Sequence, residues 1–128
     1  MTLGAGRQEP GLAFSRHLVE IVQSSLDDDK GEDIVVIDLA GKSDIADFLV
    51  VASGRSQRQV GAMTDHLVTK LKPLLARTPS VEGQNRCDWV LVDAGDVIVH
   101  LFRPEVREFY NIEKMWGADL PERSAMPV

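Results

Sequence analysis

Gly41-Lys42-Ser43 has the residue types that close a phosphate-binding loop, and it follows a segment that reads as a strand. A full loop of that kind needs a further glycine five positions earlier, so that backbone amides can wrap the phosphates. Val36 stands there, inside the strand, and the residues after Ser43 lead toward a second strand instead of a helix. The trio therefore reads as a solvated turn. Gly54-Arg55-Ser56 opens a helix after a strand, a place where free amides can meet an anion. Ser56 is equally accounted for as a helix cap. A Gly-Ser helix start also begins the active site of many nucleotidyltransferases, which need carboxylates nearby to hold two metal ions. Asp38, Asp93 and Asp96 are the candidates, but no Asp-x-Asp pair sits on a strand, and Asp93 and Asp96 flank a turn, where aspartate is common.

The remaining reactive types are sparse. His17 and His66 fall on polar flanks of helices. His100 lies between Ile98 and Phe102 in an apolar strand, where a hydrogen-bonded structural role is commoner than catalysis. No serine sits in a Gly-x-Ser-x-Gly elbow. The single cysteine, Cys87, has no basic neighbour to activate it and cannot form an internal disulfide. No nucleophile and base are paired in the sequence, so no catalytic residue, metal or cofactor is assigned. Among only four Phe, two Trp and one Tyr, the residues Trp89, Tyr110 and Trp116 stand out. Trp116 reads as a staple for the last helix. Trp89 reads either as core or as an exposed anchor of the kind that interfaces favour.

These residues must be positioned by one domain of 128 residues, 44% of them apolar. No apolar run reaches the ~18 residues of a membrane span, and residues 1–10 carry no apolar stretch of a secretory signal. A cytoplasmic protein is expected. The net charge of −6, from 14 basic and 20 acidic residues, offers no basic face for gripping nucleic acid directly and suits a basic protein partner better.

Periodicity lays out the elements. Phe14, Leu18, Ile21, Val22 and Leu26 predict a helix over residues 11–28. Residues 34–39 and 48–52 are continuously apolar and read as strands covered on both faces. Ser56 and Gln59 have capping-box spacing, and Val60, Met63, Leu67, Leu71 and Leu74 give the next helix one apolar face. Pro73 is expected to end or kink it near Lys72. A turn over residues 78–84 leads to strands at 89–92 and 97–102, joined through Gly95 as a hairpin. Alternation places Trp89, Leu91 and Asp93 on one face of the first strand, and Ile98, His100 and Phe102 together on the second. Pro104 can open a last helix whose apolar side is Val106, Phe109, Ile112 and Trp116, with Gly117 ending it. The fold class is α/β (α+β), a single mixed sheet with packed helices. The domain spans residues 11–117, flanked by tails at 1–10 and 118–128.

Taken in order, several stretches resemble the Iojap family, whose bacterial members are ribosomal silencing factors. They are EDIVVIDLAGKSDIADFLVVASGRS from Glu32, the helix start SQRQVGAMTDHLV, Val81-Glu82-Gly83, DWVLVDAGDVIVH from Asp88, and REFYNIEKMW from Arg107. The resemblance covers about residues 11–117. It implies a nucleotidyltransferase-like fold without the catalytic carboxylates and a protein that is not an enzyme. It also implies binding to the large ribosomal subunit through ribosomal protein fourteen, which would bar the small subunit from joining and repress translation. A homodimer is expected when the protein is free. By position, the implied contact residues are Trp89, Asp93, Gly95 and Asp96 on the hairpin, with Tyr110 and Glu113 beyond it, and His100 orienting the hairpin. The competing readings are a large-subunit assembly adaptor and, third, a metal-dependent nucleotidyltransferase.

Overall fold

The computed structural model describes residues 9–115. Five strands form one sheet: β1 (Glu32–Asp38), β2 (Phe48–Ser53), β3 (Ser80–Glu82), β4 (Trp89–Asp93) and β5 (Val97–Phe102). Their order is β1-β2-β5-β4-β3. β2 and β5 run parallel, and the other neighbours are antiparallel. The parallel pair needs a crossover, and α2 (Gln57–Leu75) supplies it.

α1 (Glu9–Asp28) and α2 cover one face of the sheet. Leu18, Val22 and Leu26 of α1 and Val60, Met63, Leu67 and Leu71 of α2 are fully buried there, against Val50, Ala52, Val90, Val92, Val99 and Leu101. α1 begins two residues before the expected start, and Phe14 is largely exposed, so the stripe takes hold only from Leu18. β2 is buried along its whole length, as its sequence implies. β1 is not: it is an edge strand, and only Ile37 is buried. The second face carries a smaller cluster of Ile37, Leu39, Leu49, Val51 and Phe102, joined by Trp89, Ile98, Val106 and Ile112. Among the described residues, the short helices α3 (Pro104–Tyr110) and α4 (Ile112–Met115) lie on that side.

Ser56 caps α2, its Oγ accepting from the Gln59 amide at 3.1 Å. The return bond reaches one residue further out than a standard capping box: Gln59 Oε1 accepts from the Arg55 amide at 2.8 Å. The Gln59 Nε2 donates to the carbonyls of Asp29 and Lys30, both at 3.0 Å, which ties the start of α2 to the end of α1. α2 does not stop at Lys72. It runs through Pro73 to Leu75, because Leu75 still packs on the core, and it ends at Ala76 in a left-handed cap. Leu74 points outward and is exposed. Within the expected turn, residues Ser80–Glu82 pair with β4 as a short edge strand. The last helix is also interrupted. Asn111 adopts φ 48°, its amide donates to the Arg107 carbonyl, and the chain restarts as α4. Phe109 is 79% exposed instead of on the apolar side, because α3 turns Arg107 inward. Trp116 and Gly117 lie outside the described residues.

Candidate partner-binding face

β4 alternates as expected: Val90 and Val92 enter the helix-covered core, and Trp89, Leu91 and Asp93 face the other way. In the hairpin register Trp89 lies opposite Phe102, Leu91 opposite His100, and Asp93 opposite Ile98. Two rows of side chains therefore run side by side across the second face.

At one end of these rows the rings gather. Trp89 packs on Phe102 with centroids 4.9 Å apart and on Tyr110 at 4.8 Å. Tyr110 in turn meets Phe109 edge-on at 5.0 Å. Trp89 is half-buried, and Tyr110 is about half exposed. The indole is therefore packed on one side and reachable from solvent on the other. Its Nε1–H donates to His100 Nδ1 at 2.9 Å. An accepting Nδ1 requires the neutral ring. Burial supports that state by lowering the His100 pKa from 6.5 to about 4. The bond crosses the hairpin, so His100 orients Trp89.

At the other end lies the turn. Gly95 has φ 89°, a conformation that side-chain-bearing residues rarely adopt, and its amide donates to Asp93 Oδ1 at 2.8 Å. The Asp96 carbonyl accepts from the amides of Asp47 and Phe48, fastening the turn to the start of β2. Trp89 and Tyr110 are thus brought into contact, and Asp93, Gly95 and Asp96 form a second group ~13 Å along β4. Glu113 lies on α4, and its side chain is outside what is described.

The candidate metal carboxylates do other work. Asp38 Oδ1 accepts from the Ala40 amide at 2.9 Å, as Asp93 does from Gly95. Among the described residues, no group of three His, Cys, Asp or Glu is arranged to hold a metal ion. Gly41 sits in a turn with φ 80° between β1 and β2, and Ser43 Oγ accepts from the Ile45 amide. Cys87 Sγ donates to the Gln84 carbonyl, and its pKa is raised by burial and by Asp65 and Asp88, so it is a poor nucleophile. No described helix is long and apolar enough to cross a membrane.

Sequence reasoning missed a second constellation, at the Ser53 end of β2. Arg107, only 9% exposed, donates from Nη1 to Ser53 Oγ at 2.8 Å. Its position one turn after Pro104 was the only signal. The serine sits 54 residues away in sequence.

The family model described as ribosomal silencing factor during starvation matches residues 13–127. The chain is 56% identical over 100 residues to the ribosomal silencing factor RsfS of Zymomonas mobilis, covering 78% of this chain and 75% of that one. It is 46% identical to the RsfS of Haemophilus influenzae, covering 78% and 98%. A crystal structure of a protein from Chromobacterium violaceum superimposes with a TM-score of 0.78 at 37% identity, covering 84% of this chain and 90% of that one. These relatives carry the names of regulators and not of enzymes. With the four expected strands, the two covering helices and the hairpin all in the expected order, the chain belongs to the ribosomal silencing factor (RsfS) family, to which the Iojap proteins are related.

Proposed function

We propose that this protein works in the cytoplasm by binding the large ribosomal subunit through ribosomal protein fourteen. The bound domain then stands where the small subunit must dock, and translation falls. The observation that carries this reading is the second sheet face. Among the described residues, Trp89 lies there half-buried beside the half-exposed Tyr110, its orientation held by His100. A rigid, partly exposed tryptophan is the kind of anchor that dominates binding energy. Asp93 and Asp96 at the turn add negative charge suited to a basic partner, which fixes register and speeds encounter. Tyr110 and Glu113 extend the contact beyond the hairpin. The free protein pairs with a second copy.

A direct test is capture of purified ribosomal protein fourteen by the full chain, with Trp89→Phe and Asp93→Asn as variants. Retention by the native protein and weakened retention by both variants support the reading. Equal retention by all three contradicts the assignment of this face.

A second reading has one specific observation behind it. A mouse relative, 35% identical over 121 residues, is named mitochondrial assembly of ribosomal large subunit protein 1. This chain spans about half of that protein. In an assembly adaptor the same face would hold the large subunit during maturation. Loss of the gene would then accumulate large-subunit precursors while purified subunits still join normally in the presence of the protein.

A further inference from the structure

β1 is one border of the sheet, with β2 on its inner side only. The other border, β3, is three residues long, whereas β1 has seven. The direction of its backbone groups follows from the register. The Leu39 amide donates to the Asp47 carbonyl at 2.8 Å, in the frame that sets Asp38 opposite Phe48. In an antiparallel pair, bonded and non-bonded positions alternate. Ile37 and Val35 therefore bond to β2 as Leu39 does, and Val36 and Asp38 turn their amides and carbonyls outward. Phe48 agrees, because its own amide donates the other way, to the Asp96 carbonyl. Among the described residues, no backbone bond reaches the outward groups of Val36 or Asp38. Val35 and Val36 are only partly buried, while Val51 and Val50 opposite them are fully buried. The exposure thus runs along the outer edge.

An edge of this kind is a template for one more strand, and proteins guard it with charges and bulges. Asp33 and Asp38 stand exposed at the two ends of the apolar run Ile34-Val35-Val36-Ile37. The register shift between Glu32 and Val35 adds a bulge at one end. These guards exclude a second copy of this chain. A two-fold antiparallel pairing centred on the run would set Asp33 of each copy opposite Asp38 of the other, and like charges directly opposite are destabilising. The surroundings have the same sign: residues 27–44 hold seven acidic side chains and two basic ones. The charge that repels a copy attracts a segment with lysine or arginine at both ends of a short apolar stretch.

We infer that the outer edge of β1 takes an extended basic segment of a partner protein as a further strand. Val36 and Asp38 supply the main-chain hydrogen bonds, and the carboxylates of Asp33 and Asp38 meet the flanking basic side chains. Asp38 Oδ1 accepts from the Ala40 amide, and a carboxylate has capacity for further donors. The edge is separate from the Trp89 face, since β2 and β5 lie between β1 and β4.

The test is titration of the isotopically labelled full chain, followed by amide chemical shifts, with the peptide Lys-Val-Thr-Val-Thr-Lys. Saturable shifts at Val36 and Asp38 are expected, with a Kd below about 1 mM. Two control peptides should each bind at least ~10-fold more weakly: Glu-Val-Thr-Val-Thr-Glu, and the lysine peptide N-methylated at its four central amides. The double variant Asp33→Asn, Asp38→Asn should weaken binding of the lysine peptide ~10-fold. It folds, because asparagine tolerates the positive φ of position 33 and keeps an acceptor for the Ala40 amide. Before peptide is added, the amides of Val36 and Asp38 should exchange rapidly with solvent. Slow exchange there means that a second copy or another segment of this chain already covers the edge, and it overturns the inference. So does each of four titration results: no saturable shift up to about 1 mM, equal binding by either control peptide, unchanged binding by the double variant, and shifts centred on Trp89.

Discussion

The indole N–H of Trp89 donates to Nδ1 of His100 at 2.9 Å, across the β4–β5 hairpin and against a floor of Phe102. This bond makes the orientation of the candidate anchor depend on the protonation state of one buried ring. The unfolded chain protonates that histidine near pH 6.5, and the folded protein only near pH 4. Between those values the unfolded state holds more protons, so stability rises with pH. The contribution of His100 is therefore full above pH 6.5, declines as pH falls from 6.5 to 4, and levels off below, by up to ~3 kcal/mol. Urea midpoints measured across that window should fall more steeply for the native protein than for His100→Gln.

Trp89 should respond differently to two substitutions. Trp89→Phe keeps an aromatic ring against Phe102 and Tyr110 but removes the donor, leaving His100 Nδ1 without this partner. It should cost ~1 kcal/mol of folding stability. Trp89→Ala removes the ring as well and should cost ~2–3 kcal/mol of stability, with a loss in large-subunit affinity of ~2 kcal/mol or more. Denaturant melts and binding measured on the same samples separate the two effects. A Trp89→Ala protein that is destabilised yet binds normally would make the residue purely core.

Gln59 ties the two long helices together beside the His66–Asp29 and Lys70–Asp28 contacts. Gln59 accepts from the Arg55 amide and donates to the carbonyls of Asp29 and Lys30, whereas Ser56 makes one capping bond. Ser56→Ala should cost ~1 kcal/mol. Gln59→Ala should cost more, ~2 kcal/mol, since three backbone groups lose their partner. Equilibrium unfolding of the two variants checks the order.

Two glycines with positive φ should differ sharply. At Gly95 an added methyl meets only the far end of the Arg77 side chain at 3.2 Å, so Gly95→Ala should cost ~1–2 kcal/mol from backbone strain. At Gly83 the added carbon would collide with the Trp89 carbonyl oxygen, which is backbone and cannot yield. Gly83→Ala should cost ~3 kcal/mol or more and displace the start of β4. Thermal unfolding ranks the pair.

What the chain discloses by itself is what short-range periodicity can carry. The four-residue rhythm of Leu18, Val22 and Leu26, the unbroken run of β2 and the alternation that sets Val90 and Val92 apart from Trp89, Leu91 and Asp93 each specify a buried face, and each buried set is found there. Features decided by tertiary contact were not legible. Ser80–Glu82 is too short to have a rhythm and becomes a strand only because β4 offers an edge. α2 passes Pro73 because Leu75 has a core to reach. Asn111 turns left-handed between two segments that share one apolar pattern, and α3 buries Arg107 while Phe109 faces outward. In the candidate face, the partition of residues between the two sides of β4 could be read, but the Trp89–His100 bond could not, because it depends on hairpin register. The pairing of Arg107 with Ser53 depends on how α3 settles on the sheet, and no local pattern announces it.

The proposed action is occupation of the large subunit, so that the small one cannot join. Sedimentation of purified large subunits with the protein, followed by addition of small subunits, tests it most directly. Co-sedimentation with the large subunit, fewer joined ribosomes, and recovery of joining with Trp89→Phe and Asp93→Asn in proportion to their weaker binding are expected. Saturating occupancy of the large subunit with an undiminished yield of joined ribosomes would contradict it.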